Sequence, residues 1–259
     1  MRGTDGFPLR VQYTKHGKVR FVGHRDLARA FERAFRIAQL PLAFSEGFNP
    51  HPKVSFGLAL SVGYESDAEY LDLELTDEFD CDTLPALLSA ALPVGIDVTA
   101  ARPLADRAPA LQEAVTLTEW SITVSRDNPA TAELSARIDA VLAAPTVEVL
   151  RTRKGKTVPG DIRPAIRGLG AEEPCDGSVR FGLELSNGQT ANARPAEVLD
   201  ALVMLPAPTE PFTAVQVLRT HQWIERDGAR LSPLDADERR DAGAPAPASV
   251  VRPLEARAS

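Results

Sequence analysis

Residues 69–75 read Glu69-Tyr70-Leu71-Asp72-Leu73-Glu74-Leu75. Tyr70, Leu71, Leu73 and Leu75 form the apolar set, against Asp72 and Glu74. A period of two sends alternate side chains to opposite faces, so this stretch is a strand with one side on a core. Upstream, Leu9 to Tyr13 alternates in the same way. Lys15-His16-Gly17-Lys18 is a turn, and Val19 to Val22 returns as a short strand or extended lead-in. From His24 to Gln39, Leu27, Ala30, Phe31, Ala34 and Ala38 recur at three and four, the spacing of a helix that Pro41 ends. Val54 to Leu60 is strand-like. Downstream, Asp82 or Thr83 caps a helix running to about Ala91. Gly95 to Ala101 is the last strand of the set. The order β-α-β-β-α-β is the ferredoxin-like arrangement, with both helices on one face of an antiparallel sheet.

A weaker copy follows. Val115 to Ser125 is a strand, and Ala130 to Leu142 a helix with Asn128 as its cap and Pro129 at its first position. Val147 to Thr152 and Thr157 to Ile166 pair around a basic turn. Val179 to Leu185 is a strand ending in the turn signal Asn187-Gly188. Pro195 to Met204 is a helix and Phe212 to Ile224 a strand, which Asp227-Gly228 turns back. The expected fold class is α+β, with two tandem ferredoxin-like (βαββαβ) domains, the second divergent. They span 8–104 and 112–230. Residues 231–259 are rich in Ala, Pro and charge without a period, and are expected to be a disordered tail.

The 259 residues suffice for two cores, and 44% hydrophobic with 25% charged is an ordinary globular balance. No apolar run approaches the roughly 20 residues of a membrane helix. Met1 to Arg10 lacks the apolar core of a secretory signal, so a cytoplasmic location is expected. Cys81 and Cys175 are then two reduced thiols. There is no phosphate-binding Gly-rich loop with Lys-Ser/Thr, no dinucleotide fingerprint, no clustered cysteine set, no zinc spacing and no Gly-x-Ser-x-Gly elbow. The expectation is therefore no cofactor, no metal and no standard nucleotide-hydrolysing activity.

The net charge of −7 hides a polar distribution. Residues 1–56 hold ten Lys/Arg and four Asp/Glu, residues 57–119 two and thirteen, and residues 146–170 six and two. Such a chain binds polyanions through one face despite an acidic total, unless its charges simply scatter over solvated surface. Arg25, Arg29, Arg33 and Arg36 fall on one helical stripe opposite Leu27, Phe31 and Ala34. Only Glu32 is placed to relieve their repulsion. The stripe suits phosphate oxygens, a solvated face or a protein partner.

The loop Ser45-Glu46-Gly47-Phe48-Asn49-Pro50-His51-Pro52-Lys53 holds His51 between two prolines. Phe48 is placed to stack on a base or to enter the core, and Asn49, His51 and Lys53 to meet phosphate or a base edge. A rigid connection explains the same residues. His16 and His24, with Lys15, Lys18 and Arg20 nearby, are the candidates for acid–base catalysis, though local hydrogen bonding accounts for His24 as well. His221 beside Trp223 reads as structural. In the second domain, Arg151, Arg153, Lys154, Lys156 and Arg163 mark a basic hairpin that is either a phosphate finger or a solvated tip.

Lys18-Val19-Arg20-Phe21, His24, Asp26, Arg33-Ala34, Leu40-Pro41, the Gly47-to-Pro52 run, Ser55-Phe56, Val62-Gly63 and Glu69-Tyr70-Leu71 carry a resemblance. They resemble the bacterial radical-SAM-linked protein family, a domain of unknown function. Arg151 to Gly155 and Asp161 to Pro164 are similar to its second region. Gly23 and Arg25 stand where that family usually has Ser and Leu. The resemblance implies a module fused to, or encoded beside, a cobalamin-binding radical SAM protein, with an RNase E/G-type ribonuclease as a gene neighbour.

The expected function is an RNA-binding accessory module, with tRNA or rRNA as ligand and a radical SAM or RNA-processing protein as partner. Its RNA-binding residues would be Lys18, Arg20, Arg25, Arg29, Arg33, Arg36, Phe48, Asn49, His51, Lys53, Arg151, Arg153, Lys154, Lys156 and Arg163. Catalysis would belong to the partner. The alternatives are a metal-independent ribonuclease using His16 or His24, and a protein-docking module using the acidic segment 65–82.

Overall fold

Leu9, Val11 and Tyr13 share one parity and are all buried, so this run turns one face of the first sheet onto a core. The computed structural model describes residues 6–105, 108–125, 131–153, 155–175, 178–188, 191–209 and 213–237. In chain order, the elements are β1 (Phe7–Lys15), α1 (His24–Ile37), β2 (Val54–Phe56), β3 (Glu65–Leu75), α2 (Leu84–Ala91), β4 (Val98–Pro103) and α3 (Leu111–Ala114). Then come β5 (Leu117–Val124), α4 (Thr131–Ala143), β6 (Glu148–Arg153), β7 (Lys156–Asp161), β8 (Ile166–Cys175) and β9 (Ser178–Ser186). The last are α5 (Pro195–Met204), β10 (Ala214–Arg226), β11 (Ala229–Leu231) and α6 (Pro233–Ala236). The chain forms two compact units. The first holds the described residues up to Val115 and those from Gln222 on, and the second holds Thr116–His221.

In the first unit β1 lies antiparallel between β3 and β4, pairing Leu9 with Leu73 and Val11 with both Leu71 and Ala101. β2 pairs antiparallel with the far edge of β3, Val54 on Leu73 and Phe56 on Leu71. The strand order β4-β1-β3-β2 is the expected ferredoxin-like one. The end of β10 also lies along β3, and the Gln222 side-chain amide donates to the Ala68 carbonyl. One face of the sheet buries Leu9, Val11, Tyr13, Leu71, Leu73 and Leu75 against Leu27, Phe31, Ala34 and Phe35 of α1 and Leu84 and Leu88 of α2. Tyr13 and Phe31 meet edge to face at 4.9 Å.

The other face of this sheet is covered too. Tyr70 points away from Leu71, into a second core with Ala68, Leu111, Val115, Ile224 and Leu234. Tyr70 therefore does not share a face with Leu71, Leu73 and Leu75: consecutive residues of a strand point to opposite sides. Leu234 lies in α6 within the span expected to be disordered. Residues 231–237 are ordered because Leu234 is buried and Arg10 binds the Pro233 carbonyl and Asp237. The rest of that tail lies outside the described residues.

Several boundaries move. Gly17–Phe21 is a 3-10 turn rather than an extended return. The second strand stops at Phe56, where the Gly57 N–H donates to the Tyr70 carbonyl. β4 begins at Val98 because the chain turns at Gly95, whose φ is +98°. Thr83 sits at the start of α2, but its hydroxyl donates to the Asp80 carbonyl and does not cap the helix.

In the second unit the order is β10-β5-β9-β8, the same 4-1-3-2 pattern. β9 is antiparallel to both β5 and β8, with Leu183 opposite Trp120 and Leu169. β6 and β7 form a separate two-stranded sheet inserted between α4 and β8. This hairpin is the pair expected around the basic turn, with its second strand ending at Asp161 rather than Ile166. The second strand of the larger sheet is Ile166–Cys175, whose Gly168 and Gly170 break the apolar alternation. The expected cap at Asn128 lies outside the described residues. Among the described residues, no helix is long and apolar enough to cross a membrane.

Candidate nucleic-acid interface

Burial of Leu27, Phe31, Ala34 and Phe35 fixes the rotation of α1 and leaves Arg25, Arg29, Arg33 and Arg36 exposed. Relief of their repulsion comes from Asp26, not from the Glu32 carboxylate. Arg29 lies 3.2 Å from Asp26, while Arg36 donates to the Glu32 backbone carbonyl at 3.4 Å. Arg25 and Arg33 have no ion pair among the described residues.

The 3-10 turn before α1 is clamped from below. Lys15 follows Leu9, Val11 and Tyr13 in parity and is buried. Its ammonium donates to the carbonyls of Val22 at 2.9 Å and Arg20 at 3.4 Å. Burial pulls its pKa down, and Glu69 pulls it partly back. The buried Glu65 carboxylate accepts the Gly17 N–H at 2.8 Å and lies 3.7 Å from Arg20. The Gly63 N–H donates to the Arg20 carbonyl at 2.8 Å. On this turn Lys18 is exposed, and Arg20 sits 4.9 Å from the Phe21 ring centroid.

His16 binds Asp67 at 2.9 Å, and His24 packs edge-on against Phe56 at 5.2 Å. No hydrogen bond joins the two histidines among the described residues.

The loop of residues 45–53 is closed on itself. The Ser45 hydroxyl accepts the His51 N–H at 3.0 Å, and the Ser45 N–H donates to the His51 carbonyl at 2.9 Å. Asn49 Nδ2 and His51 Nε2 are 3.2 Å apart. Phe48 is fully exposed and takes no part in the core. Lys53 pairs with Glu74 at 2.7 Å. In the acidic segment 65–82, Glu65 and Glu69 are buried and Asp72 and Glu74 are bound internally, leaving Asp67, Asp77, Glu78, Asp80 and Asp82 exposed.

In the second unit the basic residues divide. Arg151 is held by Glu197 and donates to the Asn192 carbonyl. Arg163 donates to the Leu142 carbonyl, near the end of α4, at 2.9 Å, and to that of Ile166 at 3.2 Å. Both guanidiniums hold backbone rather than face solvent. Lys156 is exposed. Lys154 and the Arg153 side chain lie outside the described residues. His221 pairs with Glu119 at 3.2 Å.

A family model for "Uncharacterized protein conserved in bacteria (DUF2344)" matches residues 8–195. The chain belongs to the DUF2344 family. No curated protein matches it. A crystal structure of a Cbf5-Nop10-Gar1 complex resembles this DUF2344 chain with a TM-score of 0.45 and 10% identity, covering 85% of this chain and 50% of that one. This chain thus spans about half the length of the solved chain it matches.

Three features of the DUF2344 chain escaped the sequence reading. Lys15 as a buried clamp was signalled by its inward parity. Phe21 as an exposed ring carries no signal in a period, because the 3-10 turn replaces the strand. The Arg10–Asp72–Asp237 network joins residues far apart in the chain, and nothing local marks it.

Proposed function

We propose that this protein is an RNA-binding accessory module acting with a radical SAM protein or an RNA-processing partner such as an RNase E/G-type ribonuclease. The observation that carries the RNA half is the exposed arginine face of α1, on which Arg29 alone has a carboxylate partner among the described residues. Neighbouring arginines on this stripe are about 4.5–6 Å apart along the axis, well inside the ~10 Å Debye length, so they repel until a polyanion arrives. Guanidinium forks match phosphate oxygens, and counterion release favours the complex. Lys18 extends the surface in the first unit, and Lys156 offers a contact in the second. Arg151 and Arg163 stand outside the interface because their donors are engaged. The second face of the first sheet, the surface an RNA-recognition sheet would use for stacking bases, is closed by Leu111 and Leu234, so binding falls to the helix side. The partner half rests on the motif resemblance of residues 15–75.

The test is binding to bulk tRNA and rRNA at two salt concentrations, with Arg29→Glu/Arg33→Glu as the comparison. Binding should be salt-sensitive, and each lost phosphate contact should flatten the log–log slope by about 0.7–0.9. A double mutant that binds as the wild type does would overturn the assignment.

A further inference from the structure

We propose that Phe21 is a stacking platform for an unpaired nucleobase, which makes the ligand single-stranded; this deepens, and rests on, the RNA-binding reading. Phe21 is 62% exposed. An exposed phenyl on a loosely held loop would be ordinary surface, but here the backbone on both sides of the ring is pinned. Lys15 binds the carbonyls of Arg20 and Val22, the residues on either side of Phe21. The Gly63 N–H takes the Arg20 carbonyl as well, and the Val22 N–H closes on the Val19 carbonyl. Glu65 holds the start of the turn through the Gly17 N–H. Two charged side chains are thus buried to fix a turn whose outermost apolar group faces water. Desolvating charges is costly, and packing the phenyl inward would have been the cheaper solution for stability alone.

The surroundings select the ligand class. The Arg20 guanidinium lies over one face of the ring, 4.9 Å from its centroid, so a base stacks on the opposite face; Lys18 is exposed on the same turn. Gly63, with φ at +92°, brings only backbone beside the ring: a Cβ there would lie 3.9 Å from the Phe21 edge. The ring therefore has the Arg20 cation on one face and no side chain from Gly63 at its edge. A π-face backed by a cation, on a turn with a second exposed cation, matches a base and its phosphates, as in single-strand binding proteins. In a duplex the base faces are already stacked and cannot reach Phe21. RNA and DNA single strands share this chemistry.

The experiment uses the full chain with Phe21→Trp and Phe21→Ala. The native Trp120 and Trp223 are both buried, so the new indole supplies a distinct exposed fluorophore. Single-stranded 12-mers of RNA and of DNA, and the matching RNA duplex, are titrated at fixed salt. Single-stranded RNA should quench the new tryptophan and the duplex should not. Phe21→Ala should weaken single-strand binding by roughly 5- to 150-fold, the range of one lost base stack, with its salt slope unchanged. Equal quenching by single-stranded DNA keeps the platform and widens the ligand to either strand. If Phe21→Ala binds as the wild type does while Arg29→Glu/Arg33→Glu loses RNA, the platform is wrong and the phosphate surface stands. If no nucleic acid binds, both fail, and the exposed ring belongs to a protein contact.

Discussion

The Arg151 guanidinium meets the Glu197 carboxylate through two bonds, Nε to Oε1 at 2.7 Å and the second amine to Oε2 at 2.9 Å. Glu197 also accepts the Arg194 N–H at the start of α5, at 2.8 Å. The pair ties β6 to α5, and a residue expected on an RNA surface is instead a strut. Arg151→Ala should lower stability by about 1–3 kcal/mol, the cost of a lost charged hydrogen-bond set at a partly buried site. Denaturant melts should show this loss, while the salt slope for RNA stays at its wild-type value. A flattened slope with unchanged stability would return Arg151 to the interface.

Alkaline pH should weaken the first unit through Tyr70. Its phenol is buried, and desolvation raises its pKa far above the ordinary 10.0, with Glu69 and Asp235 adding to the rise and Arg10 opposing it. Below pH 10 both folded and unfolded chains keep the proton, so the contribution of Tyr70 is fully present. Above it the unfolded chain releases the proton first, and stability falls as pH rises. Lys15 works in the other direction. Its lowered pKa means the unfolded chain holds that proton more tightly, so its contribution increases with pH up to the ordinary 10.5. Denaturation midpoints at pH 8, 9.5 and 11 should drop at the last step in the wild type and drop less in Tyr70→Phe. An equal drop in both would remove Tyr70 as the cause.

Cys81 should react slowly. Burial raises its thiol pKa, Arg102 opposes the rise, and Asp80 and Asp82 add to it. The thiolate is the nucleophile, so alkylation at pH 8 should be slower in the folded chain than in urea, followed on the Cys81 peptide by mass spectrometry. Equal rates in the two states would show that neither burial nor the two aspartates protects it.

The sequence was most legible where one residue period governed a whole element. Leu9, Val11 and Tyr13 against Leu71, Leu73 and Leu75 announce two neighbouring strands, and the α1 stripe announces both its core face and its arginine face. The βαββαβ order followed from these. Legibility failed where contacts are long-range or the period is broken. β8 went unread because Gly168 and Gly170 interrupt it, and its pairing with β9 supplies what periodicity lacks. The charge of Lys53, Arg151 and Arg163 was plain in the sequence. Glu74, Glu197 and Leu142, which bind them, lie 21, 46 and 21 residues away, and only the fold shows which cations are already bound.

The most consequential of these distant contacts is Arg10, which is 1% exposed in the middle of β1. It binds both Asp72 oxygens at 2.7 and 2.9 Å, the Pro233 carbonyl at 3.0 Å and Asp237 at 3.3 Å. Asp237 is shared with Arg226 at 3.0 Å. Removing the buried cation leaves the Asp72 carboxylate without its partner and the Pro233 carbonyl without its donor, so Arg10→Ala should cost about 3–5 kcal/mol, the range for a broken buried pair. Asp237→Ala should cost less, about 1–3 kcal/mol, because Arg10 keeps Asp72. Ending the chain after Leu231 removes Leu234 as well as Asp237, so it should destabilise more than Asp237→Ala alone. Urea midpoints for the three variants should fall in the order Asp237→Ala, then the truncation, with Arg10→Ala below Asp237→Ala. A truncated chain with a wild-type midpoint would mean that Pro233–Asp237 merely rests on the sheet, and that Asp72 alone holds Arg10 in place.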